Sequence, residues 1–315
     1  MAGSPLPGSS SARTRWIGTA LCAASSVGFA SLAILGKVAF ASGLSMSGFL
    51  SLRFCGAALL LAVYLSLTRR GGMLSAGRGP ALRLFALGAL GYFVQSSLFF
   101  LGLARITASL SSILFYAYPV FVALLMWRFT ERPPTRAEWL ALGLALVGVL
   151  FTVSPGLRQP GAPPVDPVGV VLLLFSACGY AIYILVSERL VHRAGALVST
   201  AWITAGAGVS YTLVGTLLHD WRPPATAQGW AIILAMILFS TILPLATLLA
   251  GLARVGPTTA SLLSTLEPVF TIALAVALLA ESVSPAQLGG GALVLMAVVL
   301  LSLHPGRPAV ASVEE

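Results

Sequence analysis

Charge is scarce in this sequence. Of 315 residues only 9% are Asp, Glu, Lys or Arg, whereas soluble globular domains carry about 25%. With 58% of residues apolar and a strongly positive mean hydropathy, a soluble fold is excluded and an integral membrane protein is indicated. The net charge of +9 does not point to nucleic acid, because no basic tract is longer than Arg69-Arg70. Cysteine is equally sparse: Cys22, Cys55 and Cys178 follow neither disulfide nor metal-ligand spacing and read as small packing residues, so no metal site is expected. His192, His219 and His304 fall in predicted loops or at a helix end, and no HExxH or GxSxG arrangement is present. No glycine cluster lies on a strand-to-helix turn, so no phosphate loop or dinucleotide fingerprint exists and no cofactor is expected. These absences argue against an enzyme.

What is present is a series of long apolar runs. A hydrocarbon core about 30 Å thick takes roughly 20 helical residues. Ten such stretches occur, at about 16–36, 46–67, 81–103, 107–128, 136–153, 167–187, 195–218, 228–252, 258–279 and 285–303. The alternating ten-residue pattern of a transmembrane barrel is missing, so the expected fold is an all-α bundle of ten transmembrane helices. Arg13 and Arg15 ahead of the first run resemble a signal peptide, but the run continues to Lys37 without a small-x-small cleavage site and reads as a retained helix. With the N-terminus inside, one face collects thirteen arginines, while the other has Lys37, Arg105, Arg158 and Arg222. Both termini are therefore expected to be cytoplasmic.

The two halves of the chain are related. "GLARITASLSSILFYAYPVF" (102–121) and "GLARVGPTTASLLSTLEPVF" (251–270) share GLAR, then Ser and Leu, then Pro-Val-Phe, at a constant offset of 149 residues. The same offset superposes Thr135/Glu138 on Ser284/Gln287, both with capping-box spacing. "SSVGFASLAIL" (25–35) matches "SACGYAIYILV" (176–186) at an offset of 151. Each copy holds five helices, and an odd number inserts the second copy upside down, giving inverted repeats. The expected organisation is an N-terminal tail 1–15, a first repeat 16–153, a connecting loop 154–166, a second repeat 167–303 and a C-terminal tail 304–315.

Two five-helix halves, each carrying GLAR…PVF, then an acidic residue (Glu131, Glu281) and a capped final helix, resemble the drug/metabolite transporter superfamily, specifically its EamA-type permeases. The resemblance implies a ten-helix inverted-repeat transporter in the cell inner membrane, with a central cavity moving small organic solutes, often outward. The exporters of aromatic and other amino acids are the branch it suggests.

An ionisable side chain within the bilayer core is a functional-site hypothesis by default. Two qualify: Glu267, near the middle of the predicted ninth helix, and Arg53, about 10 Å inside the second at 1.5 Å per residue. Pro119 and Pro268 stand at matching repeat positions, where a missing N–H frees the carbonyls of Phe115 and Ser264, and they read as paired hinges. Pro244 has no evident partner. Glu267 corresponds to Tyr118, beside Phe115 and Tyr116, so one copy presents aromatics where the other presents a carboxylate. Tyr92, Gln95, Tyr180, Tyr183 and Trp202 are further candidates for the wall, while Trp16, Trp127, Trp139, Trp221 and Trp230 near helix ends read as interfacial anchors. An aromatic wall suits cations and planar rings, a carboxylate pairs with ammonium, and Arg53 pairs with a carboxylate. The expected partners are the lipid bilayer and an uncharged, zwitterionic or cationic small molecule; phosphorylated or nucleotide-linked sugars would call for more buried cations. Without an ATP-binding domain, transport would be secondary, with Glu267 as the candidate proton carrier.

Overall fold

The computed structural model describes residues 9–68, 72–130, 135–158 and 165–303. Residues 1–8 of the N-terminal tail, Arg69-Arg70, Glu131, residues 159–164 of the connecting loop and the C-terminal tail lie outside these described residues. Among them no strand occurs, and the chain forms α1 (Ser9–Ala41), α2 (Met46–Thr68), a 3-10 turn (Gly72–Ala76), α3 (Arg78–Ala86), α4 (Phe93–Arg105), α5 (Ala108–Phe115), α6 (Tyr118–Thr130) and α7 (Arg136–Arg158). The second half forms α8 (Pro167–Ala194), α9 (Ala196–Leu217), α10 (Ala227–Ile237), α11 (Leu243–Ser264), α12 (Leu266–Leu279) and α13 (Pro285–Leu303). Among the described residues eight helical spans are long and apolar enough to cross a membrane, and two more apolar helices, Leu266–Leu279 and Pro285–Leu301, are shorter.

The starts of corresponding helices keep the repeat offset: Met46 and Ala196 differ by 150, Arg78 and Ala227 by 149, Arg136 and Pro285 by 149. The packing follows the same symmetry. Helix α1 packs on α11 as α8 packs on α4, while α2 packs on its own counterpart α9 and α7 on α13. Two motifs explain this. The glycine of each GLAR sits where a side chain has no room: a Cβ on Gly102 would meet Leu173 Cδ2 at 1.7 Å, and one on Gly251 would meet Cys22 Sγ at 2.5 Å. Absence of a Cβ lets the helices approach closely. The paired serines do the rest: Ser25 Oγ donates to the Pro244 carbonyl (2.8 Å), and Ser176 Oγ donates to the Gln95 carbonyl (3.0 Å). Pro244 thus has a partner after all, since Gln95 lies 149 residues before it.

Both expected capping boxes form. Thr135 N donates to Glu138 Oε2 (2.7 Å) and Glu138 N to Thr135 Oγ1 (3.3 Å), while Ser284 N donates to Gln287 Oε1 (2.9 Å) and Gln287 N to Ser284 Oγ (3.2 Å).

Three features depart from the sequence expectation. First, α11 runs unbroken through 253–257, where a loop between the eighth and ninth helices was expected; the break falls instead at Thr265. Second, the prolines do not kink continuous helices. Pro119 and Pro268 lie in the first turns of α6 and α12, after interruptions at Tyr116–Ala117 and Thr265. A first-turn proline sacrifices no helical hydrogen bond, because the N–H it lacks would be unpaired there. Third, each half carries a π-turn, Leu87–Tyr92 joining α3 to α4 and Leu238–Ile242 joining α10 to α11, marked by bonds five residues back from Phe93 N to Gly88 O and from Leu243 N to Leu238 O. Hydropathy cannot distinguish a π-turn from an α-turn.

At one end of the bundle three side-chain links join the first half to the second half or to the loop that leads into it. Ser47 Oγ donates to Asp220 Oδ2 (2.6 Å), Arg105 Nη1 pairs with Asp166 Oδ2 (3.0 Å), and Glu281 receives Ala108 N (2.6 Å), Ser109 N (3.0 Å) and Ser109 Oγ (2.7 Å). Arg105–Asp166 is the one ion pair among the described residues. Around Asp166, the hydrogen bond from Arg105 and then that from Val168 N hold its carboxyl below the usual carboxylate range. Trp16, Trp127, Trp139 and Trp230 are exposed and Trp221 is half-buried.

Candidate functional site

A cavity of about 300 Å³ lies between the two halves. Of the ten residues proposed from sequence, eight line it: Arg53 from α2, Tyr92 and Gln95 from the first π-turn and α4, Phe115, Tyr116 and Tyr118 around the α5–α6 break, Tyr180 from α8, and Glu267 from α12. Arg53 and Glu267 therefore face one common space.

Glu267 is not in mid-helix. It stands in the first turn of α12, immediately after the break at Thr265. An acidic residue there complements the helix macrodipole. Its backbone carbonyl accepts Thr271 Oγ1 (3.0 Å), and its carboxylate has no side-chain hydrogen bond among the described residues. Beside it the Ser264 carbonyl, which Pro268 cannot reach for want of an N–H, accepts a hydrogen bond from the Tyr116 hydroxyl. The interruption in one repeat is thereby tied to the interruption in the other. Irregular backbone at membrane depth is tolerated when protein satisfies it in this way.

Arg53 is buried, with 3% exposure, and its Nε donates to Thr241 Oγ1 (3.1 Å) in the second π-turn. Its guanidinium also lies 4.7 Å from the centroid of the Phe54 ring. No carboxylate of the described residues pairs with it.

An aromatic chain connects the two charges. Phe54 and Tyr92 are 5.6 Å apart between ring centroids, Tyr92 and Tyr183 5.2 Å, Tyr183 and Tyr180 5.8 Å in a stacked pair, and Tyr180 and Tyr118 5.0 Å. Tyr116 then lies 5.7 Å from Tyr118, and Phe115 5.3 Å from Tyr180. These spacings are those of edge-to-face and offset pairs, which stiffen a wall.

Two sequence candidates lie elsewhere. Tyr183 stands behind the cavity surface, stacked on Tyr180 and touching Tyr92, so it supports the wall without lining it. Trp202 lies outside the cavity altogether: it packs against Leu61, Leu65 and Val198, and its Nε1 donates to Met73 O (2.9 Å), fastening the 3-10 turn to α9. A mid-helix tryptophan carries no sequence signal of which face it occupies, and here the apolar contacts chose the opposite one. Gln95 lines the cavity while its Nε2 donates to Ser176 Oγ (3.0 Å), so part of its polarity is spent on joining α4 to α8.

Sequence reasoning missed Ser96, Phe99, Ser112 and Thr271 in the lining, and Tyr211 behind it. The Tyr211 hydroxyl meets Ser96 Oγ and Ser97 Oγ, each at 2.8 Å, while its ring stacks on Phe54 at 5.7 Å. The adjacent serines were a usable signal, because buried hydroxyls in a membrane helix need partners.

The model of the EamA-like transporter family matches residues 16–154 and 167–303. An uncharacterized transporter of Synechocystis sp. is 26% identical over 69% of this chain and 65% of its own length, so the match spans just under two thirds of that relative. An uncharacterized transporter of Bacillus subtilis is 26% identical over 68% of this chain and 69% of the relative. The threonine/homoserine exporter RhtA of Escherichia coli is 28% identical over 69% of this chain and 67% of the exporter. One solved structure, 18% identical, superposes with a TM-score of 0.59 over 91% of this chain and 96% of the other, which establishes a common fold.

Proposed function

The chain belongs to the EamA-like transporter family, and on that footing we propose that it moves zwitterionic amino acids, aromatic ones included, across the membrane, exporting them by alternating access. It is a multi-pass membrane transporter of the inner membrane. Ten spans with both termini cytoplasmic is the arrangement that suits the inverted repeat and the arginine distribution.

The observation carrying the substrate class is the pairing of unlike charges, unbonded to each other, in one cavity. Arg53 offers a donor fork at one end, Glu267 a carboxylate at the other, and the wall between them is aromatic. An α-amino acid brings the complement of both: its carboxylate to Arg53, its ammonium to Glu267, its side chain to the tyrosines. About 300 Å³ is at the small end of ligand sites, which favours a single amino acid over a nucleotide-linked sugar. The similarity to RhtA, a threonine/homoserine exporter, lends the same class support. Transport is secondary, and Glu267 carries a coupled proton.

The test is counterflow in proteoliposomes preloaded with unlabelled phenylalanine, threonine, phenethylamine or a sugar phosphate. Uptake of labelled phenylalanine driven by amino acids alone is the expected result. Counterflow driven equally by the sugar phosphate would reject the assignment, and chemical conversion of the solute would reject a transporter.

A further inference from the structure

Arginine is recognised bidentately through two parallel N–H groups, so which edge of the guanidinium faces a ligand decides whether a carboxylate can be gripped. In this cavity that edge is set by one hydroxyl. Thr241 sits inside the π-turn Leu238–Ile242, and its Oγ1 donates to the Met236 carbonyl five residues back at 3.0 Å. With the hydroxyl proton committed there, the oxygen can only accept from the arginine, and it does so from Arg53 Nε at 3.1 Å. The two terminal nitrogens of Arg53 are left without a partner among the described residues, beside the cavity that Arg53 lines.

The repeat relation shows that this is a departure built into one half only. The position 149 residues earlier is Tyr92, in the other π-turn, where a ring replaces the hydroxyl. Arg53 itself corresponds to Ile203 at the helix-start offset of 150. Charge and orienting hydroxyl thus occur together, and both are missing from the equivalent place. The π-turn matters because its wider coil displaces side chains from an α-helical register; such turns are rare and concentrate at functional sites.

Resting on the amino-acid reading above, we infer that Thr241 is a positioning residue. It fixes Arg53 so that its terminal N–H pair takes the substrate carboxylate, and it thereby sets the preference for amino acids over the corresponding amines.

The experiment compares Thr241→Val, Thr241→Ser and Arg53→Ala in proteoliposomes, with phenylalanine as transported probe and phenethylamine as competitor. Thr241→Val is expected to raise the KM for phenylalanine about tenfold, the scale of one charge-assisted hydrogen bond, with the maximal rate and the inhibition by phenethylamine unchanged. Thr241→Ser restores the parent KM, which a general packing role would not allow. If the valine variant does not insert, Thr241→Cys, whose sulfur accepts only weakly, carries the same comparison. Phenylalanine and phenethylamine affected alike, or neither affected while Arg53→Ala loses the preference, overturns the inference and leaves the amino-acid reading standing. An Arg53→Ala protein that still prefers phenylalanine overturns both.

Discussion

Glu281 offers the sharpest test of how the halves are held together. It follows α12, yet both of its carboxylate oxygens are spent on the start of α5 in the other half, receiving Ala108 N at 2.6 Å, Ser109 N at 3.0 Å and Ser109 Oγ at 2.7 Å. Glu281→Ala removes all three bonds. The α5 N-terminus keeps one substitute, because Thr107 Oγ1 still accepts from Leu110 N, and water can reach the half-buried site. Two lost charge-assisted bonds to backbone, each discounted for that hydration, come to about 2 kcal/mol. If the contact is made only when this end of the cavity is shut, the population open at this end rises about thirtyfold, at about 1.4 kcal/mol per factor of ten. Glu281→Gln keeps one acceptor and loses the charge, so about 1 kcal/mol and about fivefold follow. The assay places a cysteine at Ser112, which lines the cavity and is buried, in a protein with Cys22, Cys55 and Cys178 replaced by alanine. A membrane-impermeant thiol reagent is then applied from the side where Glu281 sits. Labelling that rises in the order parent, glutamine, alanine is expected. Equal rates in all three would refute the claim that this contact holds the cavity shut.

Glu267→Gln is expected to abolish the dependence of uptake on a pH gradient while leaving downhill counterflow measurable; an unchanged pH profile would rule out Glu267 as proton carrier. Tyr116→Phe removes the hydroxyl that donates to the Ser264 carbonyl across the two repeats, a hydrogen bond worth about 1 kcal/mol, so thermal stability in detergent should fall. An unchanged melting profile would show that water or another group serves equally well. Asp166 behaves differently. Its carboxyl is held below the ordinary value of 3.8, so any stability from its pair with Arg105 is present above that value and lost only as pH falls through the lower folded value. Asp166→Asn should therefore leave the pH dependence of transport near neutrality untouched, and a profile altered there would contradict the assignment.

Much of this arrangement was legible before any coordinates. Composition demanded a membrane solvent, and the twin segments around GLAR and Pro-Val-Phe declared the repeat, because close-packed glycines and first-turn prolines tolerate few substitutes. Glu267 and Arg53 stood out because charge is costly in lipid. What escaped was whatever depends on angular position. Trp202 and Tyr183 are apolar enough to face lipid, core or cavity, and only the contacts made by Leu61 and Met73, or by Tyr180, decide which. The π-turns escaped for a related reason, since a single extra residue in the coil leaves hydropathy unchanged while rotating Thr241 and Tyr92 toward Arg53 and Phe54. The unbroken α11 shows the opposite limit: Gly256-Pro257 reads as a loop, yet the helix continues through it to Ser264.

The central question is whether one cavity reads both ends of an amino acid. Equilibrium binding to purified protein of phenylalanine, phenethylamine and phenylpropionate, in the parent, Arg53→Ala and Glu267→Ala, tests that directly. Phenylalanine should bind the parent best, Arg53→Ala should weaken phenylalanine and phenylpropionate but spare phenethylamine, and Glu267→Ala should weaken phenylalanine and phenethylamine but spare phenylpropionate. Identical losses for all three compounds in both variants would contradict it.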